Sequence, residues 1–452
     1  TLDRHITNVL RTAIVGGDSY CETSPQLGND SLSVVKGLLE IASDVVVRDG
    51  DMVLLAVKYF PASVLCILME RAVLLNRPVA VDILVKHWPY KALSVPNLVS
   101  LTKHTSLNTT VYENLNFIHD ALFMILSAYL RLYKAEKKES QLRTLDFRGP
   151  LLGEQAITSI SEIVRSDFTK TNRPLNELSS QHFTLIIDVA PDCSPAVITL
   201  SEILMMSDLE DNLLKIMVNT LVLNSLSNTD VMFFMRCLPY KVGLKGLSFH
   251  LSDLSEIHLV QFQDSCDKLS DIRALDFSYT RINLTAYPLA SLVLKECLTS
   301  MIHLKSLDLC GCRITGYLRR LLSSIKHGLH ILNISMCQLS STDLAYLAQS
   351  HHASTLISLD LGMSNFPGNV PHSMVLLQNL SVIEVLCVDK CKIDESLMAS
   401  LFHCLKSKMY LKELDITANR CHYDWLSQNV PILINDHMNY TKNNDVKLNV
   451  LY

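Results

Sequence analysis

In the stretch HLKSLDLCGCRITG, residues 303–316, Cys310 and Cys312 stand two residues apart. Such a pair could be half of a metal site, a redox couple, or two scaffold positions. Zinc wants four converging ligands. Cys387 and Cys391 repeat the pairing further on, and His351–His352 lies in a linker, yet none of these forms a C-x-x-C or H-x-x-x-H grouping. If Cys312 starts an inward turn after a strand, the two thiols point apart, a poor geometry for chelation or a disulfide. Hydrolase, phosphate-binding, zincin and dinucleotide motifs are all missing. IVGGDSY at 14–20 has two glycines but no basic residue after them and reads as a loop. The expectation is a non-enzymatic protein with no cofactor and no metal.

The bulk properties narrow the partners. The 452 residues are 48% hydrophobic and 19% charged, with a formal net charge of −5. That balance argues against nucleic acid, which favours a basic face. KAEKKES at 134–140 carries its own glutamates and reads as a solvated helix end. The richest apolar stretch, 52–69, is broken by Lys58 and Pro61, so no membrane span is expected. Thirteen scattered cysteines point to a reducing compartment, cytoplasmic and also nuclear. The chain opens on Thr1, which reads as removal of something upstream.

A repeat must position these residues. L-x-x-L-x-L-x-x-N/C-x-L fits Leu304, Leu307, Leu309, Cys312 and Ile314, and the same frame recurs from 244 to 421. Its fourth-position leucines are Leu247, Leu275, Leu307, Leu332, Leu359, Leu386 and Leu414, separated by 28, 32, 25, 27, 27 and 28 residues. The L-x-L core is a short strand with leucines inward. The ninth position turns the chain inward and needs a small side chain that can satisfy backbone groups. Ser252, Thr280, Cys312, Cys337, Ser364, Cys391 and Asn419 occupy it, so Cys312 belongs to a structural ladder. Amphipathic helices are expected at 340–350 and 393–407, and VKLNVLY at 446–452 could add a last strand. The fold class is α/β, a leucine-rich-repeat horseshoe with strands concave and helices convex.

Upstream of about 140 the frame disappears. Helices are expected at 33–46, 62–75, 79–87 and 113–138. A degenerate repeat, LRTLDFRGPLL at 142–152, has Pro150 at the ladder position, and another weak unit surrounds 218–227. The stretch 153–210 reads as loop-rich. The expected division is a helical N-terminal cap over 1–140 and a repeat solenoid over 141–452. Trp88 would pack the cap against the first repeat.

The order VLLAVKYFPASVLCILMERAVLLNRPVAVDILVKHWPYKAL (53–93), then LRTLDF, then the late repeats CQLSSTDLAYLAQS and CKIDESLMASLFHCL resembles the PRAME and leucine-rich repeat-containing protein 14 family. The resemblance covers about 33–452 at the level of a distant relative. It implies an intracellular protein-interaction scaffold similar to substrate receptors of cullin–elongin ubiquitin ligases. Members grip elongins with a box of the pattern small–Leu-x-x-x-Cys-x-x-x-aliphatic; the corresponding stretch here, Met52–Phe60, carries Ala56 and no cysteine. Leu54, Leu55, Phe60 and Pro61 are the expected adaptor contacts. The alternative is a signalling inhibitor that sequesters a partner, such as an NF-κB pathway kinase, without recruiting a ligase. In either case the partner is expected in the concave face. Asp276, Asp308, Asp360 and Asp415 share one column there, with Glu413 beside the last. Neighbouring carboxylates at strand spacing would repel one another and attract a basic segment. The plainer reading is that neighbouring hydroxyls or water satisfy them.

Overall fold

The computed structural model describes residues 33–95, 111–134, 140–168, 183–207, 214–237, 243–252, 254, 256–263, 266–441 and 448–452. The glycines at 14–20 and most of the basic run at 134–140 lie outside the described residues. Packing divides the chain into two units, with the boundary between Leu221 and Val222.

Five helices begin the first unit: α1 Ser33–Val46, α2 Gly50–Tyr59, α3 Ala62–Leu74, α4 Pro78–Lys86 and α5 Val111–Lys134. Asp49 caps α2 by accepting the Asp51 N–H, and Pro61 stands at the N-cap of α3. Arg71 on α3 meets the Asp44 carboxylate of α1 through two bonds, the longer 2.8 Å. Trp88 is buried, and its indole N–H donates to the Ala92 carbonyl at 3.1 Å, fastening the end of α4 to the first strand. Four parallel strands follow in sequence order: β1 Ala92–Ser94, β2 Thr144–Leu152, β3 Phe183–Val189 and β4 Leu214–Val222. The change from helices to strand–helix repeats is thus internal to this unit, and the region before 140 already holds one strand.

The stretch 153–210, expected to be loop-rich, instead holds α6 Glu154–Phe168, β3 and α7 Ser194–Ser207. The reason is legible afterwards. In FTLIIDV the apolar Ile186 stands where the frame usually has a polar residue, which blurs the pattern in the sequence although burial alternates from Phe183 to Ile187. Both neighbouring ladders also slip, between Phe147 and Leu151 and between Ile187 and Asp188. At the second slip Asn219 is skipped, and its amide donates to the Asp188 carboxylate at 2.9 Å.

The second unit repeats one module. Its strands are β5 Gly246–Ser248, β6 Ala274–Asp276, β7 Ser306–Asp308, β8 Ile331–Asn333, β9 Ser358–Asp360, β10 Val385–Cys387, β11 Glu413–Asp415 and β12 Asn449–Leu451. All eight are parallel, and the seven expected leucines stand opposite one another from Leu247 to Leu414, ending on Val450. Each of those leucines is buried. The helices on the other layer are α8 Asn228–Cys237, α9 Glu256–Gln263, α10 Ala290–Ser300, α11 Leu318–Leu322, α12 Ser341–Gln349, α13 Val370–Asn379, α14 Glu395–Leu405 and α15 Tyr423–Thr441. Ser340 and Asp343 form a capping box at α12, and Asp394 caps α14.

The ninth-position ladder reaches across repeats. Ser252 Oγ donates to the Leu223 carbonyl at 2.6 Å, Cys312 Sγ to Phe277 at 3.2 Å, and Cys337 Sγ to Leu309 at 2.9 Å. Cys391 Sγ donates to Leu361 at 3.2 Å, and Asn419 Nδ2 to Val388 at 2.9 Å. Thr280 turns to its own repeat, donating to Phe277 at 2.8 Å, and the buried Ser364 hydroxyl finds no partner among the described residues. Asn419 also donates to Ile416 and accepts the Ile393 N–H. Losing three bonds at once should make Asn419→Ala cost about 2–3 kcal/mol. Ser364→Ala, which breaks none, should stay within about 0.5 kcal/mol of the parent. Urea unfolding of both variants checks this; equal losses would count against the ladder.

Candidate functional site

The fifth-position column is a row of turn clamps. One carboxylate oxygen of Asp276 accepts the Ser278 N–H at 2.7 Å, and Asp308 accepts the Cys310 N–H at 2.9 Å. Asn333, Asp360 and Asp415 accept the N–H of Ser335, Gly362 and Thr417 in the same way, at 3.1, 2.8 and 3.0 Å. This is the local side-chain-to-backbone bond that Asp and Asn make two residues on. The other oxygen links repeats: Ser248 Oγ donates to Asp276 at 2.7 Å, and Asn333 Nδ2 to Asp308 at 2.8 Å. Asp276 and Asp308 are buried, while Asp360, Asp415 and Glu413 are half-buried. The expected acidic stripe is therefore accessible only at its C-terminal end, where Asp389 joins it.

Burial, and then the neighbouring Asp308, pushes the Asp276 carboxyl up to about 6. Burial, and then Asp389, does the same at Asp360. Burial holds the thiols of Cys310 and Cys312 up at about 11 and about 12, and raises Cys337 and Cys391 as well. Reactive or ligating cysteines need the opposite shift. Cys310 instead takes a bond from Ser335 Oγ at 3.0 Å. His352, weighed as a ligand, has both ring nitrogens engaged, with the Leu329 N–H at 3.2 Å and the Leu322 carbonyl at 3.0 Å. Burial pushes its pKa down to about 4, so it is a neutral core histidine.

Among the described residues, two groups bring ligand-type atoms within 4.8 Å of one another: Glu154, Asp192 and Cys193, and Asp360, Cys387 and Asp389. In the second, Cys387 Sγ donates to Asp389 at 3.3 Å, and burial raises its pKa, so it acts as a protonated donor.

Of the adaptor contacts expected on the helical region, Leu54 and Leu55 lie on α2, Phe60 is its C-cap and Pro61 the N-cap of α3. Val53 and Ala56 face inward on α2, while Met52, Leu55 and Tyr59 share its outer face at spacings of three and four residues. Leu54, Leu55 and Phe60 are 46%, 53% and 49% exposed, and Pro61 beside them is exposed. Ile41 and Val45 on α1 are exposed too. Apolar side chains are thus exposed on both α1 and α2.

Sequence reasoning missed a second row. At the eighth frame position the backbone is left-handed in every repeat of the second unit: Leu251, Tyr279, Gly311, Met336, Met363, Lys390 and Ala418 have φ between 51° and 75°. The consensus marks this position only as x. The single glycine among the seven, inside the C-G-C of 310–312, was the available signal, since left-handed residues are usually glycine.

Asparagine already serves at position 333 in the clamp role, so Asp276→Asn keeps the backbone bond and removes the buried charge. The Asp276 carboxyl is raised above its unfolded value. The folded state therefore favours the protonated carboxyl: this stability is fully present below the unfolded pKa and is lost as pH rises through about 6. Asp276→Asn should melt several degrees higher than the parent at pH 7.5, with the advantage gone at pH 4. Calorimetry at the two pH values reads the difference; a lower melting point at pH 7.5 would refute it.

No family model matches the chain. Over 194 residues it is 28% identical to leucine-rich repeat-containing protein 14 of Xenopus laevis, covering 41% of this chain and 35% of that protein. Over 103 residues it is 34% identical to the protein of the same name from Rattus norvegicus, covering 22% of this chain and 21% of that one. The matched stretch is thus about a third of the frog relative and about a fifth of the rat relative. Among solved structures, an internalin of Listeria monocytogenes is 16% identical with a TM-score of 0.32, covering 62% of this chain and 76% of that one. TLR13, in a complex with single-stranded RNA, is 14% identical with a TM-score of 0.28, covering 64% and 47%.

Proposed function

We propose that this distant relative of leucine-rich repeat-containing protein 14, a leucine-rich-repeat interaction scaffold, acts as a substrate receptor: its N-terminal helices dock an elongin–cullin ubiquitin ligase, and its repeats hold the target. The observation that carries this reading is the outer face of α2. Leu54, Leu55, Tyr59 and Phe60 are all more than two-fifths exposed within seven residues of a helix whose inner face is already packed. Helix-in-groove docking uses apolar anchors at i, i+3 and i+7, the spacing of the exposed Met52, Leu55 and Tyr59. Ala56, which replaces the cysteine of the elongin box, is buried on the inner face, so the substitution leaves the outer anchors in place.

On the repeat side, the concave carboxylates open to a basic segment are Asp360, Asp415 and Glu413. Charge reversal at Asp308 would break its bonds to Cys310 and Asn333, so Glu413→Lys is the informative change there. No helix of the described residues is long and apolar enough to cross a membrane.

Affinity capture from cells, with elongin read by immunoblot, tests the receptor reading. Leu54→Asp with Leu55→Asp should lower elongin recovery at least tenfold, because both side chains are exposed and the fold should tolerate the change. Undiminished recovery would overturn it. Elongin absent from the parent capture, with another partner retained, would favour the sequestering scaffold, of which a binder of an NF-κB pathway kinase is one case.

A further inference from the structure

The left-handed row has a chemistry of its own. The eighth and tenth frame positions both face outward, on either side of the inward ladder residue at position nine. Leu251, Tyr279, Met336 and Met363 at the eighth position are 50%, 36%, 40% and 47% exposed, which makes an apolar ridge along the ends of the strands. The ridge is held in place at its centre. Tyr279 lies over Gly311, where an added Cβ would come within 3.0 Å of its ring, and its hydroxyl reaches Met336 Sδ at 3.5 Å. His250 packs edge-on against the same ring, with centroids 5.5 Å apart. Glycine at 311 is thus needed twice, for a φ of 75° and for the tyrosine's passage.

At the tenth position, Arg281, Arg313, Lys392 and Arg420 are exposed, with Gln338 and Asn365 between them. Lys390 carries the positive charge into the ridge row. A strip therefore runs along the second unit with apolar side chains on one rim and cationic ones on the other, even though the chain as a whole is acidic. We propose that this strip docks an extended segment of a partner protein in which acidic and apolar residues alternate. An extended chain points successive side chains to opposite sides. Laid between the two rows, its apolar residues meet the methionines and Tyr279 while its carboxylates meet the guanidinium and ammonium groups. From Arg281 to Arg420 is five strand spacings, about 24 Å, which takes about seven extended residues. Methionine at the centre suits a face that adapts to different apolar side chains.

This inference rests on the scaffold reading only in that the repeats carry a partner; it does not use α2. The probe is a fluorescein-labelled peptide, Glu-Leu-Asp-Phe-Glu-Leu-Asp, followed by anisotropy on the full chain. Its controls replace the acids with lysine or the apolar residues with serine. The acidic–apolar peptide should bind at least tenfold tighter than either control, and more weakly as salt is raised. Met336→Ser with Met363→Ser, and separately Arg313→Glu with Lys392→Glu, should each weaken it at least tenfold with the melting temperature unchanged. Equal binding of acidic and basic peptides, or binding unchanged in both variants, would overturn the proposal. So would a dimer seen by sedimentation that the methionine variant abolishes, since the strip would then join two copies of this chain. Elongin capture lost at Leu54 and Leu55 reports on the ligase reading alone, so the two can fail separately.

Discussion

The structure depends on how a buried strand end disposes of its backbone. Each strand of the second unit is three residues long and then turns inward, which strands carbonyl groups inside an apolar stack. An unpaired buried carbonyl costs about as much as a lost hydrogen bond. The module answers with three coupled devices: an Asp or Asn that clamps the N–H two residues on, a left-handed residue that reverses the chain, and a small donor that reaches the preceding repeat's carbonyl. With those in place, a leucine column from Leu247 to Leu414 can stack without register error. The donor varies freely among Ser, Cys and Asn because the requirement is one hydrogen and little volume. The three ladder cysteines Cys312, Cys337 and Cys391 are accounted for in this way.

The same logic separates what was legible in the sequence from what was not. The leucine column, the ladder residues, the helices at 340–350 and 393–407 and the closing strand all follow from a pattern that recurs, and recurrence is visible in one sequence. β3 and its neighbours were not, because Ile186 blurs the alternation of FTLIIDV and the registers around it slip at Phe147 and Asp188. Five of the seven left-handed residues carry side chains longer than alanine, so only Gly311 announced the turn geometry. The aspartates were visible, but their direction was not: a carboxylate that faces a hollow and one that folds back on its own turn have the same letter. The outer face of α2 could be listed from its residues, yet exposure had to be observed, since Val53 and Leu54 are equally apolar but one is buried and the other exposed.

Two kinds of surface result. On the helices of the first unit, apolar side chains stand out because the inner face is already filled by Val53 and Ala56. On the repeats, outward groups alternate between rows because the ninth residue is always turned in. The first surface is a consequence of helical period, the second of the ladder, and neither needs a cavity.

The clamp column also limits how the modules can be ordered. Reading from β5, it runs Ser248, Asp276, Asp308, Asn333, Asp360, Cys387, Asp415 and Leu451, so never more than two carboxylates are adjacent. Asn333 and Cys387 act as insulators in a stack where neighbours lie about 4.8 Å apart. Modules that look interchangeable by their leucines are therefore not: exchanging the β8 coil for the β9 coil would place Asp276, Asp308 and Asp360 in one contiguous run. Shuffled or lengthened versions of this array must conserve that spacing of neutral coils, a rule of sequence order imposed by charge rather than by shape.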